Sequence, residues 1–269
     1  MKFTIITSNK PRHNYLVNKI STIASSVNVI QENSTIFPGQ NPGRNLQSTT
    51  MSNYFKKVNV SQNRFFKKHY LIRSHSNLKL LPLQFGDLNK IDLKLIKKDF
   101  LNSDYYIVFG SSFIKNKLLN FLIKKKAINI HMGLSPFFRG TDCNFWALND
   151  GYGHLVGATI HYLSRKLDAG DIIYHAISEK TNNIHDYTMS TVKSAIKSLT
   201  INFKNRKIFK MKSIKQNSRK LIRYSSKKDF KDKTIKKFYK KNYFKFYKTG
   251  LEKELIAPYK LRKNQFFND

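Results

Sequence analysis

The chain has 269 residues, 40% of them hydrophobic, and a formal net charge of +34. That length and apolar content can bury one full core and leave a small remainder, so an enzyme-sized domain with an appendage is expected and a second large domain is not. Its single cysteine, Cys143, excludes an internal disulfide and a Cys-x-x-Cys redox or zinc site, and suits a reducing compartment.

In chain order, residues 3–7 read as a buried strand, 13–24 as a helix and 27–30 as a second strand, a βαβ opening. Residues 31–60 are polar, carry Pro38, Gly39, Pro42 and Gly43, and show no periodicity. They are expected to form a mobile insertion that closes over a ligand. A strand is expected at 80–85, a helix at 91–101, and a strand at 105–109 that runs into Gly110-Ser111-Ser112. A helix at 113–125 leads to the strand Ala127-Ile128-Asn129-Ile130-His131. Beyond it come a short helix at 143–149, strands at 154–164 and 171–178, and a helix at 184–203 with apolar residues at Met189, Val192, Ala195, Ile196 and Leu199. This order predicts an α/β fold with a mostly parallel sheet, a domain over 1–205 and a basic extension over 206–269. Ligands of such sheets bind beyond the carboxyl ends of the strands, where Gly110-Ser111-Ser112 and His131 both fall.

Asn129 and His131 stand two apart on one strand and so project from the same face. An amide and an imidazole side by side can hydrogen-bond a formyl oxygen and stabilise the charge that grows there when an amine attacks, worth about 3 kcal/mol per well-placed donor. Asp168, in Leu167-Asp168-Ala169-Gly170-Asp171, supplies a carboxylate that can take a proton from the attacking ammonium and return it to the leaving nitrogen. Each residue alone has an ordinary structural use: Asn-x-His at a strand end as a cap, Asp before Ala-Gly as a turn. The surrounding text makes the difference.

That text is Asn129-Ile-His-Met-Gly-Leu-Ser135-Pro136-Phe-Phe-Arg139-Gly140, then Asn144-Phe-Trp146-Ala-Leu-Asn149, then Val156-Gly157-Ala158-Thr159-Ile-His161 and Leu167-Asp-Ala-Gly-Asp-Ile-Ile. From about residue 105 to 179 it resembles the formyltetrahydrofolate-using formyltransferase family. Members of that family act on glycinamide ribonucleotide, methionyl-tRNA or aminosugars, or deformylate the folate itself, and the wording here is closest to the bacterial aminosugar enzymes. The resemblance implies a Rossmann-like fold and 10-formyltetrahydrofolate as formyl donor. It implies Asn129, His131 and Asp168 as the catalytic residues, Ser112, Phe113, Ile114 and Leu167 around the folate, and a backbone contact to the pteridine from the loop at 165–170. Arg139 and Gly140 are candidates for the acceptor. The chain departs from the family in Leu134-Ser135-Pro136, and in Thr7-Ser8-Asn9-Lys10-Pro11-Arg12-His13 where a Gly-rich phosphate loop would stand, which disfavours glycinamide ribonucleotide.

Other constellations are weaker. Gly110-Ser111-Ser112 lacks the Gly-x-Ser-x-Gly spacing of a hydrolase nucleophile. The eight histidines show no His-Glu-x-x-His or comparable spacing, so no metal is expected, and His161 and His175 read as core imidazoles. Trp146 reads as core, and Cys143 as a loop packing residue. No apolar run approaches the roughly 20 residues of a membrane span. The opening Met1-Lys-Phe-Thr-Ile-Ile-Thr-Ser turns polar too early for a secretory signal, so a cytoplasmic location is expected.

Residues 201–269 carry 23 basic and 5 acidic side chains, over half of the net charge in about a quarter of the length. Lysines interleaved with aromatics there could hold RNA and stack on bases. The favoured alternative is a solvated helix with Phe230, Ile235, Phe238 and Tyr239 on one face, in a chain whose Lys, Asn, Ile, Phe and Tyr content reflects a biased base composition. The expected activity is therefore formyl transfer to a primary amine, with a nucleotide-linked aminosugar as the acceptor to which the wording leans. Alternatives are methionyl-tRNA formylation, formyltetrahydrofolate hydrolysis, and a catalytically silent RNA-binding protein.

Overall fold

The computed structural model describes residues 1–33, 48–73, 75–241 and 249–268. It opens with β1 (Lys2–Ser8), α1 (Pro11–Ser21) and β2 (Ser26–Asn33). Pro11 stands in the first turn of α1, where its fixed φ suits the helix and its missing N–H is no loss. Next come α2 (Thr49–Phe66), β3 (Leu78–Gln84), α3 (Leu93–Lys97), β4 (Tyr105–Phe109), α4 (Asn116–Lys124) and β5 (Ile128–His131). The second half holds β6 (Phe138–Gly140), α5 (Cys143–Asn149), β7 (Ala158–Tyr162), β8 (Ile172–Ser178), α6 (Ile184–Lys204), β9 (Arg223–Ser225), α7 (Asp232–Phe238) and β10 (Tyr259–Leu261).

Eight strands form one sheet in the order β10-β8-β7-β5-β4-β1-β2-β3. Pairing is parallel from β3 through β5 and antiparallel at β5–β7 and β7–β8, and β10 lies parallel to β8. The α/β class with a mostly parallel sheet therefore holds. β1 and β4 are neighbours although β2 and β3 intervene in the chain, so the strand order reverses there and opens a crevice beyond their carboxyl ends. Pro82 is tolerated in β3 because that strand is the sheet edge.

One core lies between the sheet and helices α1, α2 and α6, with Phe3, Ile5, Tyr15, Ile107, Ile130 and Leu199 all buried in it. Asn183 caps α6 by accepting from the backbone of His185 and Asp186. Met189, Val192, Ala195, Ile196 and Leu199 all face inward from it, as their spacing predicts.

Three expectations change. Of the stretch 31–60, residues 31–33 extend β2 and residues 49–60 belong to α2; residues 34–47 lie outside the described residues. Ser48 caps α2 by accepting from the Met51 N–H, and Met51, Tyr54 and Phe55 pack into a second core with α5 and α7. The helix expected at 91–101 is only five residues long, because the N–H groups of Phe100 and Leu101 both return to the carbonyl of Ile96 and turn the chain. The segment 206–269 is woven into the fold: β9 pairs with β6, β10 joins the main sheet, and Leu261 and Phe266 are buried in the main core. Its rings at Phe230 and Phe238 are buried with Ile235 among α2 and α5 residues, so they are not open to bases.

Among the described residues no helix is long and apolar enough to cross a membrane.

Candidate active site

β5 ends at His131, beside the loop Gly110-Ser111-Ser112 that follows β4. Together they line a cleft of about 610 Å³, whose wall also includes Asn129, His161, Gly140, Leu167 and Asp168. The expectation that both loops face one cleft holds.

The His131 ring is 6% exposed and sits between two acceptors: Nδ1 is 3.3 Å from Asp168 Oδ1, and Nε2 is 3.1 Å from the Phe138 carbonyl oxygen. Each ring nitrogen therefore faces an oxygen to which it can donate, Nδ1 the Asp168 carboxyl and Nε2 the Phe138 carbonyl. Asp168 occupies the left-handed region at φ 51°, and its Oδ2 accepts the backbone N–H of Gly140 at 3.1 Å. Gly140 itself sits at φ 95°, and a Cβ there would collide with the Ser225 carbonyl, so β6 and β9 can pair this closely only around glycine.

Asn129 donates from Nδ2 to His161 Nε2 at 3.1 Å, while His161 Nδ1 donates to the Tyr162 carbonyl at 2.8 Å. Those two bonds define a neutral ring, and burial pushes its pKa down to about 4. His161 was expected to be a satisfied core imidazole; it is satisfied, and it also lines the cleft and orients Asn129. His175 is the plain core case, donating to the Ser135 carbonyl and accepting the Ile256 N–H.

The other expected residues divide. Phe113 and Leu167 are exposed at the cleft, whereas Ile114 is buried in its wall. Ser112 gives both its hydroxyl and its N–H to Glu32, at 2.8 and 2.5 Å. Glu32, buried at the end of β2, also accepts the Gly86 N–H and so fixes the loop after β4. Arg139 does not line the cleft: it is buried and donates to Gln216 at 2.6 Å. Burial lowers its pKa and the nearby Asp168 charge raises it. Cys143 starts α5, and burial pushes its thiol up well above the usual range. Trp146 is core, with the Arg223 guanidinium 4.3 Å from its ring centre.

Two cations at the cleft were missed. Arg12, in place of the Gly-rich loop, lines it with its guanidinium bonded to Gln62, and desolvation lowers its pKa to about 10. Lys227, from the segment before α7, also lines it, with Nζ 5.9 Å from the Phe85 ring centre. Neither belongs to a local motif. Among the described residues no group of three His, Cys, Asp or Glu side chains is placed to hold a metal.

Residues 96–204 match the family model for formyl transferase. Asn129, His131 and Asp168 all fall inside them. This stretch belongs to the formyl transferase family. The formyl transferase segment is also similar to formyltetrahydrofolate deformylase 2, mitochondrial, of Arabidopsis thaliana, at 34% identity over 128 residues, which is 46% of this chain and 35% of that one. The chain thus matches about a third of the length of that relative. Among solved structures, one from Mycobacterium tuberculosis attributed to the sugar N-formyltransferases is 18% identical with a TM-score of 0.52, covering 85% of this chain and 76% of that one. A sugar N-formyltransferase from Shewanella is 17% identical with a TM-score of 0.50, covering 86% and 78%. At these identities the structures share the formyl transferase fold.

Proposed function

We propose that the protein transfers a formyl group from 10-formyltetrahydrofolate to a primary amine. The observation that carries this reading is the 3.3 Å contact between His131 Nδ1 and Asp168 Oδ1, on the cleft wall that Asn129 shares, within the formyl transferase segment. A primary amide nitrogen has two protons; Asn129 spends one on His161 and keeps one for the formyl oxygen. As the neutral amine bonds to the formyl carbon, Asp168 takes the surplus proton from its nitrogen, and His131 relays one to the folate nitrogen as that nitrogen's bond to the same carbon breaks. Bound reduced folate supplies the activated one-carbon unit. Val108, Ile114 and Leu119 line the cleft, and the loop at 164–168 borders it; an apolar wall with a polar rim suits its flat ring system.

The acceptor we infer is an amine on a nucleotide-linked sugar; the names of the Shewanella and Mycobacterium proteins give the sugar alone. Arg12 and Lys227 support an anionic acceptor. The lone buried Cys143 accords with a cytoplasmic setting. Hydrolysis is the second reading, favoured by the deformylase relative, since it differs only in admitting water where the amine would bind.

The test is the absorbance change for conversion of 10-formyltetrahydrofolate to tetrahydrofolate, with aminosugar nucleotides, with methionyl-tRNA, and with no acceptor. Turnover that requires an aminosugar nucleotide is expected. Turnover at the same rate without acceptor would establish the hydrolase, and none in any arm would overturn both readings.

A further inference from the structure

The turn that carries Asp168 is held from outside the formyl transferase segment. Gln216 Nε2 donates to the carbonyl oxygens of Asp168, at 2.9 Å, and Gly170, at 2.7 Å. Its Oε1 accepts from Arg139 at 2.6 Å. Gln216 is itself fixed two residues beyond Ile214, which exchanges two backbone hydrogen bonds of 2.8 Å with Ile172 at the start of β8. Every hydrogen-bonding atom of the Gln216 amide head is therefore engaged, and two of the three bonds go to the Asp168 turn.

That turn needs holding. Asp168 has φ 51°, a conformation that costs a non-glycine residue free energy unless its surroundings enforce it. Its direction decides whether Oδ1 meets His131 and Oδ2 meets Gly140. Gly170, the other end of the clamp, packs against the Tyr162 carbonyl so closely that a Cβ would not fit. The turn is thus clamped through two of its carbonyls, that of Asp168 and that of Gly170, leaving the Asp168 carboxylate to face the imidazole.

We propose that Gln216 is a positioning residue that sets the Asp168 carboxylate against His131, so that the segment beyond residue 206 completes the site. The proposal rests on the transfer reading for its kinetic test, and a spectroscopic test is independent of it. Gln216→Glu discriminates sharply: a carboxylate still accepts from Arg139 but cannot donate to two carbonyl oxygens. A residue needed only to satisfy Arg139 would be replaced by Glu without loss. Gln216→Leu, which can do neither, is the second variant.

The full chain and both variants would be compared by thermal melting, by kcat and KM for 10-formyltetrahydrofolate, and by proton NMR of the His131 ring N–H, assigned by its absence in His131→Gln. Misplacing a reacting group by about 1 Å costs on the order of 100-fold. The expected result for Gln216→Glu is a retained melting transition, a kcat lowered at least about 10-fold, a KM within about twofold, and loss or marked shift of the His131 signal. An unchanged kcat in a turning-over enzyme, or an unchanged His131 signal in folded Gln216→Glu or Gln216→Leu, overturns the proposal. If the wild type turns over nothing, the transfer reading has failed, and the NMR arm alone decides the role of Gln216.

Discussion

At the scale of single residues, the proposed chemistry rests on the His131–Asp168 contact. Both side chains are nearly buried, and a carboxylate held by one N–H from Gly140 and one imidazole cannot be replaced by an amide without losing its proton-accepting role. Asp168→Asn keeps shape and burial, so it should lower formyl transfer by about 10²- to 10⁴-fold while the melting temperature barely moves. His131→Ala should act similarly on turnover. Near-normal rates in either protein would remove the pair from the mechanism. The sequence could nominate Asn129, His131 and Asp168 together because their spacing and neighbouring text are local, and the fold brings all three to one cleft. The part His161 plays was not: its bond to Asn129 depends on the antiparallel register that places Asn129 opposite His161, and nothing in either neighbourhood encodes that register.

Among the elements, β4 was readable because its apolar run is continuous, as a strand buried on both faces requires, β1, β5 and β8 because short runs rich in β-branched residues stand out between polar stretches, and α5 falls on its expected limits. The helix α2 was missed although Met51, Tyr54, Phe55, Val58, Phe65 and Phe66 carry a helical repeat, because Ser61 and Gln62 interrupt it on the buried side. There Ser61 donates to Asp186 at 2.5 Å, and Arg64 pairs with the same carboxylate. The β6–β9 ladder is three residues long, too short for any periodicity. Its dependence on Gly140 gives a direct test: Gly140→Ala would force a Cβ into the Ser225 carbonyl at a positive φ, costing roughly 2 kcal/mol or more by urea denaturation along with activity. A stable, active Gly140→Ala protein would show that the ladder yields freely. On α7, Phe238 is 1% exposed against Phe145, so Phe238→Ala should cost about 3–5 kcal/mol. A cost below about 1 kcal/mol in the same denaturation experiment would mean that α7 is loosely applied, as a basic appendage would be.

For the whole molecule, net charge was the least informative number in the sequence. The segment with over half of it supplies Gln216 to the site, Lys227 to the cleft and β10 to the sheet, because lysines can cover the outside of elements whose apolar faces are buried. Acid should be the limiting stress, and the cause lies in buried imidazoles more than in lysines. His161, His175 and His185 are each pushed down to about 4, chiefly by burial, and His13 is also lowered well below the ordinary value. A histidine whose folded pKa lies below that of the unfolded chain, about 6.5, is protonated first in the unfolded state. Unfolding therefore takes up protons as pH falls from about 6.5 toward 4, and stability drops through that window and is fully present above it. Each ring can withdraw up to about 3 kcal/mol, a large fraction of the roughly 5–15 kcal/mol that holds a typical fold. The melting temperature should accordingly be level from about pH 8 to 7 and decline steadily between about pH 6.5 and 5, before most carboxylates titrate. The chain should also take up more than one proton on unfolding at about pH 5.5, measurable as the pH dependence of the unfolding free energy. A melting temperature that stays flat down to about pH 5 would mean that these rings are charged inside the fold, which the carbonyl and N–H partners of His175 do not permit.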